Sequence, residues 1–212
     1  MAVVLNYLQF LLGRTLYPFR GHDAGQIIYT PAFKSVSKPN MTLESPECGP
    51  SGSSLLLRHT NLAEDGRGCL PELRWTPPQC EQPVQEYVLI CEDIDLPVPF
   101  LVIYHGMQWG IPSSATKASP ADVKPSETDP KSNMTEAGWR YVPNLMGTSY
   151  IGAGPPLGHG SHRYVYTIIA LSEPLQFERP EKASKKDIQN AMVGKIVGWG
   201  QWVGVFQRPW PN

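Results

Sequence analysis

Between Ile151 and Tyr166 the sequence runs IGAGPPLGHGSHRYVY, with four glycines, a Pro-Pro pair, two histidines, an arginine and two tyrosines in sixteen residues. His162, Arg163 and Tyr164 bring an imidazole, a guanidinium and a phenol to the point where this loop enters an apolar strand. Donors of that kind suit a carboxylate or a phosphate. The glycines allow tight turns and a close backbone approach to a ligand, and Pro155 and Pro156 stiffen the loop. Upstream, Asp93 and Asp95 follow one strand and His105 sits within the next. Asp93 can share a proton with a ligand or orient a histidine, and Asp95 is a natural partner for the forked donor of Arg163. The competing reading is a structural turn with a core histidine, beside acidic residues on a solvated turn.

Other chemistries fit less well. A metal set of Asp93, His105, His159 and His162 lacks the helical i, i+4 histidine spacing of HExxH, so no metal is expected there. No GxSxG occurs, which argues against a serine hydrolase. The loop glycines do not spell GxGxxG, and prolines stand where a helix would need donors, so a dinucleotide fold is rejected. No cofactor is expected.

The elements that position these groups must come from a loop-rich chain. Its 212 residues suit one domain spanning 1–212, and 22 prolines with 19 glycines favour short strands over a helix bundle. Lysine plus arginine number 18 against 19 aspartates and glutamates, a net charge of −1 that gives no reason to expect nucleic acid or an anionic membrane as partner. Four cysteines without CxxC spacing argue against zinc and do not demand disulfides. The apolar start MAVVLNYLQFLLG is too short to span a membrane and lacks a basic n-region. It reads as a docking helix and turn over residues 1–25, in a cytoplasmic protein whose two Asn-x-Thr sequons go unused.

Strands are expected at Leu55–Leu57, Leu73–Trp75, Glu86–Glu92, Phe100–Ile111, Tyr164–Leu171 and Gln201–Gln207. Residues 112–139 are polar and proline-rich and read as a long surface loop. One helix is expected from the Ser184 cap, with Asp187 completing a capping-box variant, through Ile196 to a stop at Gly198.

The motifs Asp93-x-Asp95-x-Pro97, His105 in a strand, Gly154-Pro155-Pro156 and Gly160-Ser161-His162-Arg163-Tyr164 together resemble the phosphatidylethanolamine-binding protein family, which includes the Raf kinase inhibitor proteins. The resemblance covers most of the chain and is strongest for the filamentous-fungal branch. It implies a mainly β, Greek-key fold of two antiparallel sheets with a few peripheral helices. It also implies a small-anion pocket built from Asp93, His105, Gly154, His162 and Tyr164, with Pro97, Pro155 and Pro156 shaping its wall. Here DIDLP replaces the usual DPDxP, Tyr104 precedes His105, and the insertion before Gly154 is long enough to roof the pocket.

Fungal relatives of this kind are implicated, with ketosteroid-isomerase-like partners, in coupling maleic-anhydride monomers into maleidrides. On that resemblance Asp93, His105 and His162 are the candidate catalytic groups of a metal-free cyclising or dimerising accessory. The other function the family offers is non-catalytic: a phospholipid or anion binder, or an inhibitor of a serine carboxypeptidase or a kinase.

Overall fold

The computed structural model describes residues 2–98 and 101–210. It opens with α1 (Ala2–Leu16), followed by three short 3₁₀ turns between Asp23 and Phe33. Eight strands follow: β1 (Leu43–Glu44), β2 (Leu73–Trp75), β3 (Glu86–Asp93), β4 (Ile103–Pro112), β5 (Lys117–Ala118), β6 (Arg140–Tyr141), β7 (His162–Leu171) and β8 (Ile196–Phe206). A second helix, α2 (Lys185–Ala191), precedes β8. The strands form a five-stranded sheet in the order β6-β4-β3-β7-β8 and a three-stranded sheet in the order β1-β2-β5, all pairings antiparallel. This is the expected mainly β, two-sheet arrangement with few helices.

Every residue of β3 is buried, because the large sheet is covered on both faces. Tyr87, Leu89 and Cys91 face the small sheet and pack with Leu73, Trp75, Tyr166, Ile168 and Trp202. Val88 and Ile90 face the other way, onto Ile27, Phe33, Met107, Ile188 and Trp199. Alternation along the strand therefore sorts apolar residues into two cores rather than into core and solvent.

Several local expectations need correction. Leu55–Leu57 is not a strand: Leu57–His59 is a 3₁₀ turn, with Leu56 and Leu57 exposed. The helix is shorter than expected, with the full Ser184–Asp187 capping box at its start and Met192 at its C-cap. Gly194, at φ 79°, turns the chain, and Ile196 already belongs to β8. A glycine in the left-handed region stops a helix more abruptly than the continued apolar spacing suggests. β8 is correspondingly longer than Gln201–Gln207, and β4 begins at Ile103, with Phe100 outside the described residues. Residues 112–139 carry β5 and bury Ala118, Val123, Thr135 and Trp139.

Candidate functional site

The candidate groups gather at one end of the two-sheet core. Asp93 ends β3 directly opposite Tyr164 of β7, and His162 opens β7 two residues earlier. Period-two alternation puts His162 and Tyr164 on the same face as Tyr166 and Ile168. His105 reaches this end through a bulge. Cys91 pairs with Gly106 and Glu92 with Tyr104, so His105 is the extra residue of β4. A bulge re-aims one side chain and bends its strand; nothing in the run FLVIYHGMQWGI signals it. The resulting bend is held from outside, where Ile151 N and Asn144 Nδ2 donate to the His105 carbonyl at 3.0 and 2.9 Å.

A continuous hydrogen-bonded chain crosses the site. His162 Nδ1 contacts Asp93 Oδ2 at 2.9 Å and Oδ1 at 3.1 Å. His162 Nε2 meets His159 Nδ1 at 2.7 Å, and His159 Nε2 meets the carbonyl of Leu16 at 3.0 Å. Proton counting assigns the tautomers. The Leu16 carbonyl can only accept, so His159 donates from Nε2 and, as a neutral ring, accepts at Nδ1. His162 must then donate from Nε2, which leaves its Nδ1 facing the Asp93 carboxyl. One further proton has to sit between them, as imidazolium–carboxylate or as a carboxylic acid bonded to imidazole. The chain thus stores a transferable proton. Burial, only partly offset by the Leu16 carbonyl, lowers the pKa of His159 and so favours its neutral form.

Two groups beside this chain are unsatisfied. His105 Nδ1 lies 2.9 Å from the Ile151 carbonyl, so it carries the hydrogen and Nε2 holds a lone pair. That Nε2 and the Tyr164 hydroxyl are both buried without a partner among the described residues. The two rings are perpendicular, with centroids 5.0 Å apart. Burial pushes the His105 pKa below the ordinary histidine value, with Asp93 and the backbone acting in the opposite sense. Burial and then the Asp93 charge raise the Tyr164 pKa well above the ordinary phenol value, against the nearby Gly154 amide, which can only donate and leaves the hydroxyl hydrogen without an acceptor among the described residues. Both shifts favour the neutral forms, an imidazole lone pair and a hydroxyl donor side by side, and buried polar groups left unpaired are uncommon enough to need a reason.

The neighbouring residues are fully committed. Arg163 donates from Nε to Asp95 Oδ2 at 2.8 Å and from Nη2 to Asp95 Oδ1 at 2.9 Å. Its Nη1 and Nη2 also reach Asp23 Oδ1 and Oδ2, both at 3.0 Å. Ile94, where proline is usual, is buried, and the turn is fixed instead by the Asp95 amide donating to Asp93 Oδ1 at 2.9 Å. Tyr104 points away from the site and donates to the Pro143 carbonyl at 2.8 Å. Pro97, Gly154 and Pro156 lie at the rim, while Pro155 is buried beneath it.

The roof is α1, not the 112–139 insertion. The Leu16 carbonyl closes the histidine chain, and a side chain at Gly13 would overlap the Leu157 carbonyl. Gly160, at φ 86°, lets Tyr17 pack so closely that an added Cβ would lie 2.8 Å from its ring. Segment 112–139 instead approaches residues 65–70 and 148–150. Under α1, Asp93, His159, His162 and Tyr164 are no more than 2% exposed. Beside them, Leu12, Leu16, Pro97, Pro156 and Leu157 line an apolar cleft of about 310 Å³ with Arg208 at its edge. His159, weighed in the sequence only as a metal ligand, and α1, expected only as a docking helix, are additions to the expected pocket.

This architecture is that of a phosphatidylethanolamine-binding-protein homologue from Chlamydia trachomatis, which superposes with a TM-score of 0.62 over 81% of this chain and 100% of its own, at 19% identity. The family profile of phosphatidylethanolamine-binding proteins matches residues 35–207, and the chain belongs to that family. A phomoidride biosynthesis cluster protein B from a fungal strain is 34% identical over 99% of both chains. A protein of the same description from Talaromyces stipitatus is 34% identical over 99% of this chain and 85% of its own. The matched residues of the family profile begin after α1, whereas both fungal relatives align over its length as well.

Proposed function

We propose that this protein acts in the biosynthesis of a phomoidride-type maleidride, binding a carboxylate or anhydride monomer at the Asp93–His105–His162–Tyr164 cluster and assisting its coupling. The observation that carries the reading is the unpaired pair, His105 Nε2 and the Tyr164 hydroxyl, beneath a helix that the fungal relatives' alignments also span. A monomer oxygen accepts from Tyr164, as an enolate oxygen would from an oxyanion hole. His105 Nε2 takes a proton from the adjacent carbon, and the carbanion attacks the alkene of a second monomer to form the new carbon–carbon bond. The proton held between Asp93 and His162 is then delivered to the resulting anion. The cleft between α1 and Pro156 takes an apolar substituent and keeps two monomers close. On this reading the protein is cytoplasmic, uses no cofactor and works beside a ketosteroid-isomerase-like enzyme.

The test is coupling of alkyl-substituted maleic anhydride, or its diacid, by purified protein with that partner enzyme, followed by mass spectrometry. Dimer is expected with the wild type and not with His162→Gln. An equal rate in the absence of this protein would overturn the reading. A second reading, a non-catalytic lipid or protein binder, is favoured by one feature: Val3, Val4, Leu8 and Leu11 of α1 are each about 60% exposed. No helix among the described residues is long and apolar enough to cross a membrane. Phosphoethanolamine binding without any coupling activity would support that alternative.

A further inference from the structure

A second polar cluster lies behind the site loop. His59 closes the 3₁₀ turn Leu57–His59 and is fully buried. Its Nδ1 lies 3.1 Å from the Cys69 carbonyl, so Nδ1 carries the hydrogen and Nε2 presents a lone pair. Glu47 Oε1 stands 3.1 Å from that Nε2, yet Nε2 makes no hydrogen bond among the described residues. At that distance only the angle can fail, so the two atoms are not aimed along one N–H line. The Cys48 thiol joins them, and the three ligand atoms lie within 4.8 Å of one another.

We propose that Glu47, Cys48 and His59 form a binding site for a divalent transition-metal ion of zinc type. Two ligands bound to one tetrahedral ion at about 2.0–2.1 Å stand about 3.3 Å apart and point at the ion rather than at each other. The Glu47–His59 separation of 3.1 Å is close to that, and the pair is not aligned as a hydrogen bond. A nitrogen, a thiolate sulfur and a carboxylate oxygen make a set zinc accepts, with the fourth position left for water. The rest of the surroundings fit. A histidine whose other nitrogen donates to a backbone carbonyl has the outer-shell partner usual for a metal ligand. Glu47 Oε1 is held by the Glu72 amide at 2.6 Å, and Arg58 pairs with Oε2. Cys69 is not a ligand, because its thiol donates to the Arg58 carbonyl at 3.3 Å. This departs from the expectation drawn from cysteine spacing, since the ligands come from two segments that no short motif joins.

The ion would brace the main site. The His59 carbonyl accepts from the Ala153 amide at 3.0 Å, and the Asn61 amide donates to the Ala153 carbonyl at 2.7 Å. A metal on His59 therefore stiffens Gly152–Gly154, the segment leading into Pro155 and Pro156. The test is titration of chelator-stripped full-length protein with cobalt(II), read by thiolate-to-cobalt absorption, and with zinc(II), read by competition with a chromophoric chelator. One equivalent per chain is expected. Binding should weaken more than about tenfold in Cys48→Ser and in Glu47→Gln, both partly exposed positions, and be unchanged in Cys80→Ser. Zinc should also slow amide exchange at Ala153. No stoichiometric binding by the wild type, or binding unaffected by Cys48→Ser, would overturn the proposal and leave Glu47–His59 as a close charge contact without a bridging ion.

Discussion

The two sides of the β3–β7 junction treat their polar groups in opposite ways. On one side Asp95 accepts from the Gly21 amide at 3.0 Å, from the Arg163 amide at 2.9 Å and from the Arg163 guanidinium, which Asp23 shares. Nothing on that side is left over. On the other side, Asp93 and His162 are tied to each other, but His105 Nε2 and the Tyr164 hydroxyl hydrogen have no partner among the described residues. Residues adjacent in sequence, His162 and Arg163, thus belong to different economies. A saturated network fixes the junction, whereas an unsaturated one is kept for something that arrives later.

Changes to each side should separate the two roles. The largest effect is expected for His105→Gln, which removes the base: coupling should fall by about 10²–10⁴-fold. Its stability should stay within about 1 kcal/mol, because a glutamine amide can still donate to the Ile151 carbonyl. Asp95→Ala should do the reverse. It strands the Gly21 and Arg163 amides and should cost about 2–4 kcal/mol in chemical denaturation, discounted because Arg163 is partly exposed and keeps Asp23. Activity per folded molecule should persist. Loss of activity without loss of stability in Asp95→Ala would erase the distinction.

Gly13→Ala should have a smaller effect, about 1–3 kcal/mol, since a methyl there meets the Leu157 backbone carbonyl and must lift α1. Faster amide exchange at His159 and His162 should accompany it. Unchanged exchange would mean that α1 is not the roof.

The smallest effects should appear as pH dependence. Burial favours the neutral Asp95 carboxyl, but the Arg163 bonds outweigh it and its pKa lies below the usual carboxylate value. Its contribution to stability is therefore full above the unfolded pKa of about 3.9 and is lost as the pH falls through the folded value. Asp95→Asn should flatten that acid limb. His105 differs: its folded pKa is lowered, so the unfolded chain takes up the proton first, and stability declines as the pH drops below about 6.5. His105→Gln should make this second slope shallower, leaving the part contributed by His59 and His159, whose pKa values burial also lowers.

Much of this contrast was legible in the sequence, and the rest was hidden for identifiable reasons. Asp93, His105, His162 and Tyr164 lie on β-rich segments with loop punctuation around them, and Asp95 with Arg163 is a pairing that residue chemistry alone suggests. The bulge at His105 was not legible, because an extra residue in one strand shows only against its partner's register. The α1 roof was missed because its contact is made by a backbone carbonyl and a glycine, Leu16 and Gly13, which carry no polar signature. The shortened α2 shows a left-handed glycine, Gly194, overriding an apolar pattern that continued past it. Glu47, Cys48 and His59 escaped notice because the fold, not spacing, brings them together.

The most direct test of the unsaturated site is calorimetric titration of the wild type and Tyr164→Phe with an alkyl-substituted maleic diacid. The wild type should bind it, with phosphoethanolamine clearly weaker. Tyr164→Phe should keep its thermal stability, since only an unpaired hydroxyl is removed, and lose at least about tenfold in affinity, the equivalent of one buried hydrogen bond to a charged ligand. Equal affinity in the two proteins would contradict the assignment of Tyr164 and His105 as the groups that wait for a ligand.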